Sequence, residues 1–145
     1  MDKIERLSRL IDSIFSYEIL RKENLKNLKY LYKALKIHEK VESFEELFEF
    51  TAINLSGVSL QKESFLQLQP KKYVQIIGIK KEGTRSKNIN LRYFGKAEGV
   101  ERNLLYDIVE FVIRWRLEKN YINLDGYISL LQEIEYEKEV ERQIQ

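Results

Sequence analysis

Apolar residues recur at steps of three and four through the first third of the chain. Ile4, Leu7, Leu10, Ile11, Ile14 and Phe15 form one set, and Leu25, Leu28, Leu31, Tyr32 and Leu35 a second. The spacing predicts two amphipathic helices, over about residues 2–20 and 23–41. Ser43-Phe44-Glu45-Glu46 has the form of a capping box, which opens a short helix carrying Phe44, Leu47, Phe48 and Phe50. That helix is expected to fade by Asn54–Gly57, with Gly57 as its C-terminal cap. A further short helix over Ser59–Leu68, holding Leu60, Phe65 and Leu68, is expected to end at Pro70.

The period then changes. Tyr73–Ile79 is rich in β-formers and apolar on both faces, which predicts a covered strand. Ile89–Phe94 alternates, with Ile89, Leu91 and Tyr93 expected inward and Asn90 and Arg92 outward. Between them Lys80–Asn88 reads as a polar tip, longer than a two-residue turn, so the segment is a predicted β-hairpin. From about Glu98 to Lys119 the apolar residues cover most of a helix circumference, the mark of a core helix. Glu110 and Arg114 within it form an i,i+4 pair. Asn120–Gly126 is expected to turn, and Tyr127–Gln143 to form a last helix that starts amphipathic and ends polar.

The expected fold class is therefore α+β, mainly helical, with about five helices and one basic β-hairpin. The 145 residues fit a single domain. Within it, 1–41 supplies two N-terminal helices, 43–97 the short helices and hairpin, and 98–145 the core helix and an acidic C-terminal helix.

Charge adds a functional pointer. Lys71, Lys72, Lys80, Lys81, Arg85, Lys87, Arg92 and Lys96 share residues 71–97 with one acid, Glu82, in a protein whose net charge is only +2. Residues 98–145 are correspondingly acidic. A second cluster, Lys22, Lys26, Lys29, Lys33, Lys36 and Lys40, repeats at steps of four and three. On a helix these six fall within roughly 80° of arc and form one ridge. Like charges at i,i+4 repel by a few tenths of a kcal/mol per pair, so such a ridge is either a solvated face or one that meets an anion.

The order short helix 43–55, short helix 59–68 and basic hairpin resembles the helix-turn-helix-wing succession of winged-helix domains, over about residues 25–96. The resemblance implies Gln61, Lys62 and Gln67 as base-reading candidates. A helical bundle with an inserted hairpin accounts for the same pattern.

Little in the chain points to catalysis. It has no cysteine and a single histidine, His38, so disulfides and His/Cys metal clusters are excluded. The glycines are scattered rather than gathered in a phosphate loop. No cofactor or metal is expected, and the protein is read as non-enzymatic. The N-terminus lacks a secretory h-region, and no apolar run approaches the roughly 18–20 residues of a membrane span, so an intracellular, cytoplasmic protein without membrane contact is expected. Two functions remain open. One is a nucleic-acid-binding protein, for DNA or RNA, that contacts phosphates through the hairpin and the lysine ridge, with Tyr73, Tyr93 or Phe94 stacking on a single strand. The other is a regulator, inhibitor or small subunit, such as viruses and mobile elements encode, that docks on a nucleic-acid-processing complex such as an RNA polymerase or an RNA-guided machine, with a role in transcription regulation. Oligomeric state is not legible.

Overall fold

Helix α1 runs without a break from Lys3 to Ala34, and helix α2 from Arg102 to Ile144, in a computed structural model that describes residues 2–145. Between them lie short 3₁₀ turns (Ile37–Glu39, Phe44–Glu49, Lys62–Ser64, Ala97–Gly99) and three strands, β1 (Ala52–Ser56), β2 (Tyr73–Glu82) and β3 (Arg85–Lys96). The strands form an antiparallel meander in the order β1-β2-β3. Two long helices and a three-stranded sheet replace the five helices and lone hairpin that the sequence predicts.

Each difference has a local cause. Residues 3–34 contain no Gly or Pro, and Arg21, Lys22 and Glu23 at the expected break are good helix formers. Asp2 caps the start by accepting from Glu5 N at 2.7 Å. The helix ends seven residues earlier than the pattern implies because Lys36 takes a left-handed conformation (φ 60°), which turns Leu35 and Ile37 into the core. At the other end Gly126 lies inside α2; one helical glycine costs about 1 kcal/mol relative to alanine, too little to break the run around it.

The segment after the expected capping box is a 3₁₀ turn, and Ser43 makes no side-chain cap bond. Ala52–Ser56, expected as a fading helix, pairs with β2 from Ala52↔Ile79 to Ser56↔Gln75. Ser59–Leu68 is not a helix either. Its backbone folds back on itself, with Val58 bridging Leu68 and Ser59 N–H bonded to Gln67 O at 3.0 Å. Only Lys62–Ser64 is helical there, so no recognition helix exists and the winged-helix resemblance fails.

The hairpin is tighter than predicted. Its strands run to Glu82 and Arg85 and leave Gly83 and Thr84 as a two-residue turn. Gly83 takes the positive φ (+64°) that the first central position of such a turn requires.

The core fills one face of the sheet. Ile53, Val74, Ile76 and Leu91 meet Leu28, Leu31 and Tyr32 of α1 and Leu105, Ile108, Phe111, Val112 and Trp115 of α2. Gly78 lets the Phe50 ring approach, since a Cβ there would sit 2.6 Å from Phe50 Cε1. Side chains of α2 also satisfy carbonyls that the irregular segment leaves open. Trp115 Nε1 donates to Leu47 O (2.8 Å), Lys119 Nζ to Phe48 O (2.7 Å) and Arg116 Nη2 to Ile53 O (3.2 Å).

This head uses only half of each long helix. The outermost of the described side-chain contacts between α1 and α2 are Tyr17 edge-on to Tyr121 (5.0 Å), Arg21 with Glu118, and Arg21 with Asp125. Beyond them, every residue from Asp2 to Ser16 and from Ile122 to Glu139 is exposed. Two helical arms therefore project from the head. No helix among the described residues is long and apolar enough to cross a membrane.

Candidate nucleic-acid interface

Alternation along β2 divides the basic segment between two faces of the sheet. Val74, Ile76 and Gly78 point into the core, so Lys80 and Glu82 continue on that side, while Tyr73, Gln75, Ile77, Ile79 and Lys81 lie on the outer side. Directly paired residues of antiparallel strands share a face. Lys87 and Arg85, opposite Lys80 and Glu82, thus join the core side, whereas Ser86, opposite Lys81, joins the outer one.

Two β-bulges then shift β3. The register slips between Ile76 and Ile77 and again between Val74 and Gln75, so Leu91 and Phe94 are extra residues opposite no partner. Each bulge reverses which residues face out. Leu91 is buried and Arg92 turns to the core-side edge, while Tyr93 goes outward, opposite Gln75. This corrects the simple alternation expected for Ile89–Phe94.

The eight predicted cations of the segment therefore do not act as one group. Three of them are ion-paired: Lys80 Nζ with Glu49 (3.3 Å), Lys87 Nζ with Glu82 (3.8 Å) and Arg92 Nη1 with Glu39 (3.4 Å). Lys80 also lies over the Phe50 ring at 5.5 Å. Arg85 is exposed on the same side as these. Lys81 and Lys96 are on the outer face, with Lys71 and Lys72 in the loop that leads to it. None of these four has an acidic partner among the described ion pairs. Lys71 is held at φ 69°, a conformation unusual for a residue with a side chain.

What the outer face gathers is mixed. Tyr73 and Tyr93 are 44% and 54% exposed, and their rings lie 5.6 Å apart at 43°. Lys96 pairs with Tyr73 across the strands. Beside the rings, Asn90 Nδ2 donates to Gln75 Oε1 at 2.6 Å, and Asn54 lies opposite Ile77 on β1. Lys81 marks the far end of the row, about 27 Å from Tyr73 at the strand rise. The amides were not candidates from sequence, because a strand read as covered on both faces offers no exposed row.

The lysine ridge survives only in part. Lys22, Lys26, Lys29 and Lys33 are exposed along α1, within roughly 60° of arc, and no acid pairs with them among the described ion pairs. Lys36 and Lys40 lie beyond the end of the helix and leave the row. His38 is exposed in the 3₁₀ turn, its ring 6.0 Å from that of Tyr32. Among the described residues no three His, Asp or Glu side chains converge to hold a metal.

No family model, curated protein or solved structure matches the chain. The reading of this face rests on its own chemistry.

Proposed function

We propose that the protein is a non-enzymatic binding protein whose open sheet face takes single-stranded nucleic acid. One observation carries the reading: two adjacent exposed tyrosines share a sheet face with Lys96, paired with Tyr73 across the strands, and follow Lys71 and Lys72 in the chain, and none of these three cations has an acidic partner among the described ion pairs. Base–aromatic stacking tolerates any base and supplies affinity, while the lysines follow the phosphates. Gln75 and Asn90, bonded to each other, keep further donors and acceptors for the Watson–Crick edges of bases, which pairing occupies in a duplex and leaves open in a single strand. The core-side cations contribute little, since Lys80, Lys87 and Arg92 already have carboxylate partners.

Fluorescence anisotropy of a labelled oligothymidylate, titrated over salt, tests this. If Lys71, Lys72, Lys81 and Lys96 each neutralise a phosphate, the log–log slope is about −3, from roughly 0.7 per contact on a single strand. Equal affinity for the matching duplex, or a slope near zero, contradicts the proposal.

A further inference from the structure

The two edges of the sheet are finished differently. At the β1 edge, Arg116 of α2 takes the carbonyl of Ile53 through Nε (3.3 Å) and Nη2 (3.2 Å). Along β3 nothing among the described residues takes that place. Arg85, Ser86, Lys87, Asn88 and Asn90 are exposed, and Ile89 is half-buried against the core. The two-residue turn at Gly83 and Thr84 makes Glu82↔Arg85 a pair that exchanges both of its backbone bonds, and Lys80↔Lys87 and Gly78↔Ile89 follow as pairs of the same kind. The backbone N–H and C=O groups of Ser86, Asn88 and Asn90 therefore point away from β2, and no described hydrogen bond takes them up. The open row is bounded by the turn at one end and by the bulge at Leu91 at the other. It offers about six residues of edge, roughly 17 Å.

We infer that this edge of β3 receives an extended acidic segment of a partner protein as a fourth strand. Unpaired ladder groups are a template for another strand, and the side chains beside them decide which strand fits. Lys80–Asn88 carries Lys80, Lys81, Arg85 and Lys87 against one acid, Glu82. A second copy pairing through the same edge would bring cations against cations, which is unfavourable across strands. The edge is thus guarded against the chain itself and matched to its electrostatic complement. Alternation specifies that complement. Arg85, Lys87 and Ile89 lie on the core side and Ser86, Asn88 and Asn90 on the outer side. The added strand follows the same division, with acids opposite Arg85 and Lys87, an apolar residue opposite Ile89 and polar residues between. In the antiparallel direction, the more stable one, the segment reads apolar-x-acid-x-acid. Both cations are open to it. Arg85 has no acidic partner among the described ion pairs. Lys87 meets Glu82 only at 3.8 Å, with both side chains more than half exposed, a pair that contributes little. The added strand lies beside the sheet rather than over its outer face, so the inference does not depend on the nucleic-acid reading.

Titration of the full ¹⁵N-labelled chain with the capped peptide Thr-Val-Thr-Glu-Thr-Glu-Thr tests this, since its Val then faces Ile89 and its two Glu face Lys87 and Arg85. Saturable shifts of the Ser86 and Asn88 amides are expected, with their hydrogen exchange slowed about tenfold or more as ladder bonds form. The same peptide with Lys in place of both Glu is expected to bind at least about tenfold more weakly, and Arg85→Glu with Lys87→Glu to reverse that order. Fluorescence of the buried Trp115 shows that the head of this variant is intact. N-methylation of the peptide Thr that faces Asn88 removes a ladder donor and is expected to abolish binding. N-methylation of the Glu that faces Lys87, whose N–H points away from β3, is expected to leave affinity within about twofold. Three results overturn the inference: no change at Ser86 and Asn88, equal binding of the acidic and lysine peptides, or equal binding of the two N-methylated peptides, which would mean attraction of charge without a fourth strand. Oligothymidylate that slows exchange of the same two amides also overturns it, because the edge would then be a phosphate contact.

Discussion

Arg21 of α1 donates Nε (3.1 Å) and Nη2 (3.0 Å) to the same oxygen of Glu118 on α2. Its Nη1 reaches Asp125 as well. These bonds hold the guanidinium proton more firmly than in the free side chain. They mark the boundary of the molecule, with a packed core on one side and two solvated arms on the other. Glu118 is 2% exposed, and a carboxylate so buried depends on its partner. Arg21→Met is therefore expected to cost about 2–3 kcal/mol, a little under the usual figure for a broken buried pair because Arg21 is itself partly solvated. Urea unfolding followed by Trp115 fluorescence measures it, and a loss under about 0.5 kcal/mol would mean that water already serves Glu118.

Gly78 and Phe50 interlock more tightly than the sequence implies. In Gly78→Ala the new Cβ would stand 2.6–2.7 Å from two ring carbons, so the ring or the strand must shift, at a cost of about 1–3 kcal/mol. The same change combined with Phe50→Leu is expected to recover most of the loss. Thermal melts of the two single variants and the double variant decide the point.

Tyr32 gives the fold an alkaline limit. Its phenol donates to Val41 O, and burial, with smaller contributions from Glu46, Glu45 and Glu42, raises its pKa above the ordinary value. A raised value in the folded chain means stability that is full below about pH 10 and is lost as pH rises through the folded pKa, because the unfolded chain gives up its proton first. Tyr32→Phe should lose about 1–2 kcal/mol at neutral pH, from the stranded Val41 carbonyl. Its stability should also fall less steeply above pH 10. Urea midpoints from neutral to strongly alkaline pH check both parts.

On the sheet face, Tyr93→Ala is expected to weaken single-strand binding by about 1–3 kcal/mol, one stacked base, without changing the salt slope. Lys96→Ala should do the reverse in kind and make the slope shallower by about 0.7. Anisotropy titrations of the two variants separate them. If both changes alter the slope equally, the rings are not stacking.

Periodicity and breaker residues carried part of this structure. The apolar face of residues 25–35, the core helix beginning near residue 100, the Glu110–Arg114 pair (2.7 Å) and the existence of the hairpin were legible from spacing alone. Helix continuity was not, because a weak stretch such as Asn120–Gly126 is decided by the helix on either side of it rather than by its own propensities. Strand β1 was hidden for a related reason: Ala52–Ser56 is an edge strand whose partner lies some 20 residues on, beyond any local window. The site was half legible. Clustering of cations could be read from the sequence, but their distribution between two faces depends on the bulges at Leu91 and Phe94, which no charge count reveals. The arm stripes were legible as amphipathic patterns, but their exposure was not, since periodicity tells that a face is apolar and not that anything in the same chain covers it.

The outer and core sides of the hairpin differ in every contact described above, so residue-by-residue amide shifts give the most direct test. Addition of a short oligothymidylate to the ¹⁵N-labelled protein is expected to move the amides of Tyr73, Gln75, Asn90, Tyr93 and Lys96 and to leave those of Lys29 and Lys33, far along α1, in place. Shifts confined to α1 or to the arms, or no shift at a salt concentration low enough for phosphate contacts to form, would contradict a nucleic-acid site on the open face of the sheet.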